Sequence, residues 1–311
     1  MPDLASSLVE RLGPQRRADP PLLRRIRAHQ SWYRAEVLGL SEWGATAGAG
    51  RPLGSILAPA DAALGYNFGT TAARQAYSTR RATGWGMDPT RCETYMTSSQ
   101  ALTLNLFGPL LAEPFWFSGL LIRLLGRGGW DGSERSFIEY APADRARRTG
   151  DRTIADVYVE RTSDDAVQSL VIETKLADRF SSRFVDIAQT PHYQALNAQL
   201  GLWKEELPRD DGRATNQLAR VHALGSTYSG AAATLVVLHH PLDLNTPLVA
   251  ERYRRTLRDP SLLVVGDLAS FIGHMASASS TPDQLEVVRK MSVRYVEMEL
   301  SAPAWRALTA S

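Results

Sequence analysis

Lysine is nearly missing from this chain. Of 35 Lys+Arg in 311 residues, only Lys175, Lys204 and Lys290 are lysine, so arginine carries almost all the positive charge. Cysteine occurs once, at Cys92. That excludes an internal disulfide and a cysteine-built zinc cluster, and it fits a reducing cytoplasm. A strong net charge is also lacking: the balance is +2, so no global field demands a polyanionic partner. No apolar run is long enough for a membrane. The richest, Leu102 to Leu125, is interrupted by Asn105, Pro109, Glu113, Pro114 and Arg123, whereas a span wants roughly 20 mostly apolar residues. The opening MPDLASSLVERLG lacks the basic-then-apolar order of a secretion signal. A cytoplasmic protein with no membrane partner is expected. There is no GxSxG or HExxH, and the glycines of GATAGAGRPLG (44–54) neither follow a strand nor open a helix. Serine-hydrolase, zinc-protease and phosphate-loop readings therefore have no support.

What is present is an ordinary globular composition, 44% hydrophobic and 22% charged, in a chain long enough for one large core with extensions. The charge is uneven. Residues 1–150 hold 18 arginines against 13 acidic residues, and the remainder holds 17 basic against 20 acidic. Arginines cluster at 16–17, 24–27, 80–81 and 145–148. Such clusters bind phosphates or form solvated faces.

Residues 1–40, 60–83 and 91–125 read as helical, the last with a break at Pro109 or Pro114. Then SFIEYA (136–141), TIADVYVE (153–160) and QSLVIETKL (168–176) read as strands. A helix is expected over 190–203, with Thr190 as its N-cap, and another near 215–224. AAATLVVLHH (231–240) reads as a buried strand. SLLVV (261–265) is apolar, 267–277 and 282–292 are helix-like, and VRYVEMEL (293–300) is strand-like. Strand runs mixed with crossover helices predict a mixed sheet flanked by helices.

The chemistry concentrates in VIETKL, Val171 to Leu176. Strand side chains alternate, so Glu173 and Lys175 share a face. A hairpin turning about Asp164-Asp165 places Asp156 directly opposite Glu173, with Cβ atoms about 5 Å apart. Facing carboxylates repel unless neutralised. Lys175 supplies one charge diagonally, and a divalent cation supplies the rest. Two carboxylates with open positions for water and phosphate suit Mg²⁺. An isolated Asp…Glu-x-Lys is often a solvated face with a surface ion pair. The apolar flanks, the register and the scarcity of lysine favour a metal site here. A compact ammonium, unlike a guanidinium, shifts its pKa readily on burial.

With these residues the chain resembles the PD-(D/E)XK nuclease superfamily, and more narrowly a bacterial group described as restriction endonucleases. Ser98-Ser99-Gln100, Asn105-Leu106-Phe107, Phe137 to Tyr140, Thr153 to Val159, Ile172 to Lys175 and Asn216-Gln217-Leu218 carry the resemblance, with His29 to Arg34 fitting less closely. Ala155 stands where many members have proline. The resemblance implies an α/β restriction-endonuclease-like α-β-β-β-α-β core over 91–245, a helical N-terminal extension over 1–90 and a C-terminal α/β appendage over 246–311 packed on the core. It implies a metal-dependent endodeoxyribonuclease using Mg²⁺, with Mn²⁺ able to substitute. Asp156, Glu173 and the Thr174 carbonyl are expected to bind metal. Lys175 positions or activates water, and Glu139 is a further acidic residue at the site. DNA is the expected partner, in restriction or anti-phage defence. A homodimer and a defence-operon partner protein are further expectations. Two alternatives stay open: a catalytically silent nucleic-acid-binding module, and a regulatory partner protein of a defence system. Gln100 and Asn105 either support the site or contact DNA, or else cap the helix or make core hydrogen bonds. Asn216, Gln217, Arg220 and His222 are expected to make internal polar contacts, and at least two of His192, Tyr193 and Gln194 to lie on the surface.

Overall fold

Among the described residues, five strands pair into one sheet in chain order. They are β1 (Arg135–Tyr140), β2 (Ala155–Ser163), β3 (Ala166–Lys175), β4 (Thr234–His239) and β5 (Leu263–Asp267). The computed structural model describes residues 4–84, 86–163, 166–178, 180, 183–204 and 212–310. The first three strands form an antiparallel meander. β4 and β5 add to β3 in parallel, each reached through helices, as parallel crossovers require. Val157 stands opposite Ile172 and Ser163 opposite Ala166, the register of a hairpin centred on Asp164-Asp165. That turn itself lies outside the described residues.

Both faces of the sheet are covered, which is why β3 and β4 read as near-continuous apolar runs. On one face Val157, Val159, Leu170, Ile172, Val236 and Leu238 share a core with residues of helices Ser99–Ala112, Pro114–Leu125 and Leu268–Ala278. On the other, Tyr158, Val171, Leu235 and Val237 pack with helices Pro191–Leu200, Gly212–Ser229 and Asn245–Arg254. Helix Ser99–Ala112 is buried almost all round, from Ala101 to Leu110. Ser98 caps it by accepting from the Ala101 N–H. Pro109 is accommodated inside it, and the break comes at Glu113, before Pro114.

A polar chain ties together parts of the sequence that lie far apart. Arg294, fully buried, donates to the Asn67 carbonyl at 2.8 Å and to Asn67 Oδ1 at 2.5 Å. Gln30 Nε2 donates to the Arg294 carbonyl at 2.7 Å. Asn105 Nδ2 donates to Tyr295 Oη at 2.8 Å and to the Asn67 carbonyl at 3.0 Å.

Two local expectations are corrected. The strand-like VRYVEMEL is helical to Tyr295 and then a 3-10 turn, Met298–Ser301. A capping box at Thr281 and Gln284 starts that helix, and Val288, Met291 and Tyr295 bury at helical spacing. Thr190 does not cap helix Pro191–Leu200 with its side chain; its hydroxyl donates back to the Asp186 carbonyl. Among the described residues no helix is long and apolar enough to cross a membrane.

Candidate active site

The two antiparallel registers bring three carboxylates into one row. β1 pairs Ile138 with Val157 and Tyr140 with Ala155, so Glu139 falls at the level of Asp156. β2 pairs Val157 with Ile172, so Asp156 falls at the level of Glu173. Glu139 itself leaves the strand geometry, with φ 51°. A non-glycine residue rarely adopts that region, which costs on the order of 1–3 kcal/mol when held by its surroundings. Two arms hold it. The Arg80 guanidinium donates to the Glu139 carbonyl at 2.8 Å. The Gln100 amide donates to Glu139 Oε2 at 2.9 Å.

Glu173, Thr174 and Lys175 are all buried at the end of β3. Lys175 Nζ meets Glu173 Oε1 at 2.5 Å. The same Oε1 accepts from Gln217 Nε2 at 2.6 Å. Asp156 Oδ2 accepts from the Thr174 N–H at 2.6 Å and from its hydroxyl at 2.9 Å. Thr103 Oγ1 lies 2.7 Å behind, on Thr174 Oγ1. The Phe180 ring closes over the ammonium at 5.2 Å.

The electrostatics follow from this crowding. Asp156 keeps some accessible surface, yet protein atoms surround its carboxyl. Burial, then the Glu173 charge, push its pKa up to about 7, against Lys175 and the two Thr174 bonds. Glu139 is raised well above the ordinary range, by burial first and Asp156 second. Burial alone would lower Lys175, but Glu173 and Asp156 outweigh it and hold the ammonium above its usual pKa. Lys175 is therefore a fixed cation at neutral pH.

Helix Ser99–Ala112 anchors the end of β3. Ser99 donates from N and Oγ to Asp178 Oδ2 at 3.2 and 2.7 Å, and its hydroxyl accepts from the Leu176 N–H at 3.3 Å. Arg91 pairs with Asp178 at 3.1 Å. Gln100 thus touches the acidic row, whereas Asn105 serves the core. Asn216 bonds both backbone groups of Val185, Arg220 pairs with buried Asp151, and His222 is buried against Tyr253 and Ala233. His192 and Gln194 are exposed and Tyr193 is buried. Gln217 is the residue whose place was missed: it touches Glu173 itself. Its signal in the sequence was a polar side chain beside Leu218 on a helix that covers the sheet.

The donor set suits a hard divalent cation: carboxylates of Glu139, Asp156 and Glu173 and the carbonyl of Thr174, all oxygen. Glu139 Oε1 is buried without a hydrogen-bond partner. Together with the raised Asp156 pKa, this marks negative charge that the protein under-compensates. In this conformation Lys175 and Gln217 hold Glu173 Oε1, and among the described residues no three acidic, His or Cys groups close around one point.

Compared with known families, the chain matches the model of the PD-(D/E)XK nuclease superfamily over residues 17–297. No curated protein and no solved structure matches it.

Proposed function

The chain belongs to the PD-(D/E)XK nuclease superfamily, and from that premise we propose that it is a Mg²⁺-dependent endonuclease that hydrolyses phosphodiester bonds of DNA in the cytoplasm, in restriction or anti-phage defence. The observation that carries the reading is the row Glu139, Asp156, Glu173 with the buried Lys175 ammonium at its end. Asp156, Glu173 and the Thr174 carbonyl are the residues to hold the metal, and Glu139 adds charge beside them. A bound Mg²⁺ supplies Lewis-acid charge and a more acidic water. Lys175 orients the attacking water and stabilises negative charge on the phosphoryl oxygens. As a fixed cation it acts by position and charge. Thr103 and Thr174 hold Asp156 in place, and Gln100 does the same for Glu139. Action as a homodimer, and with a partner protein from a defence operon, belongs to the same proposal and rests on the family alone.

The experiment is cleavage of supercoiled plasmid by wild type and Lys175→Ala, with Mg²⁺ and with EDTA. Cleavage by wild type that is lost in both controls supports the proposal. Equal cleavage by both proteins would place the activity elsewhere.

A further inference from the structure

Two of the arginine clusters converge on a cavity that the acidic row does not use. It measures about 650 Å³ and lies between the N-terminal helices Leu4–Leu12 and Pro21–Trp32 and the C-terminal helix Ala302–Ala310. Arg16, Arg17, Arg24 and Arg27 line it, together with Trp305. Among the described residues one carboxylate serves this group. Asp19 lies 2.8 Å from Arg27 and 3.6 Å from Arg16. Among the described residues, Arg17 and Arg24 have no carboxylate partner. Four guanidinium groups against one carboxylate, inside a concave wall, make a strongly positive site. Guanidinium forks match phosphate oxygens two at a time.

The ligand class follows from size and lining. A lone phosphate leaves most of this volume empty, and the volume lies within the roughly 300–1,000 Å³ of small-molecule sites. Trp305 is partly exposed and offers a flat apolar wall. The guanidinium carbons of Arg24 and Arg25 lie 5.8 and 5.6 Å from its ring centroid and hold it in place. An aromatic wall beside several guanidinium groups suits a ligand with a flat ring at one end and several phosphates at the other. We propose that this cavity binds a nucleoside polyphosphate. The site is built from chain segments separate from the acidic row, so the proposal stands apart from the nuclease reading.

The test is calorimetric titration of the full chain in EDTA, where metal-dependent cleavage is silent. The probes are ATP, pyrophosphate, adenosine and a short DNA duplex. ATP is expected to saturate a single site, more tightly than pyrophosphate, with adenosine not binding. Arg17→Glu, at an exposed position where folding is not at stake, is expected to weaken ATP about ten-fold or more. Arg24→Ala is expected to act in the same direction. Absence of ATP saturation up to about 1 mM overturns the proposal. So does unchanged ATP affinity in Arg17→Glu. A duplex that binds with the same arginine dependence, while ATP binds no better than pyrophosphate, also overturns it and assigns the cavity to a strand backbone.

Discussion

Lys175 Nζ lies 2.5 Å from Glu173 Oε1, two residues back on the same strand, with both side chains buried. Removing one member strands the other. Lys175→Ala is expected to lose plasmid cleavage by about a hundred-fold or more and to lose about 3 kcal/mol of stability in urea unfolding. Lys175→Arg is expected to restore much of the stability and little of the cleavage, because a planar fork cannot replace a compact ammonium. Full activity in Lys175→Arg would remove lysine from the chemistry.

Asp156 works against folding when no cation is present. Its folded-state pKa of about 7 lies above the usual value of about 4. The folded state therefore binds the extra proton, and that contribution to stability is lost as pH rises from about 4 through about 7. In EDTA at pH 8, Asp156→Asn is expected to be about 2 kcal/mol more stable than wild type, with the gap closing near pH 4. Mg²⁺ is expected to raise the unfolding midpoint of wild type and leave the variant unmoved. A variant less stable than wild type at pH 8 would contradict the charge argument.

Gln217 is expected to act by positioning Glu173. Gln217→Ala should lower kcat about ten- to a hundred-fold, as loss of a residue that orients a metal ligand does, and shift the apparent Mg²⁺ requirement upward. Its unfolding midpoint should stay near wild type. A kcat unchanged across Mg²⁺ concentrations would reduce the contact to packing.

His222 is held neutral by a directed chain. Trp203 Nε1 donates to Tyr253 Oη, the Tyr253 hydroxyl donates to His222 Nδ1, and His222 Nε2 donates to the Ala233 carbonyl. Burial pushes its pKa down to about 4, as it does for His29 and His240. The unfolded chain binds these protons first, so stability is expected to fall as pH drops from about 6.5 to about 4. His222→Ala should cost about 3 kcal/mol at pH 8 and less at pH 4.5. Equal costs at both values would mean that the imidazole is not held neutral.

The hairpin and its carboxylates were legible because they are local. An acidic turn between two apolar alternating runs sets the register, and the register sets Asp156 against Glu173. Helix Ser99–Ala112 was legible from its apolar content. Gln217 was not, because its contact with Glu173 spans 44 positions and exists only once helix Gly212–Ser229 has packed. Glu139's left-handed backbone had no glycine or asparagine to announce it; Arg80 and Gln100 impose it from elsewhere. SLLVV was visible as an apolar run, but its place as the fifth strand of the same sheet depends on β4. VRYVEMEL misled because β-branched residues and alternation there are outweighed by the capping box upstream.

Arg294 gives the molecule a temporal order as well as a shape. A ribosome delivers Gln30, Asn67 and Asn105 long before Arg294 and Tyr295, their partners in the buried polar chain. Until those two residues are made, Gln30, Asn67 and Asn105 lack the partners that Arg294 and Tyr295 provide in the finished fold. β5, which completes one margin of the sheet, is made before them. The polar chain therefore closes only after the residues that hold the acidic row, Arg80, Gln100 and Gln217, have all been synthesised.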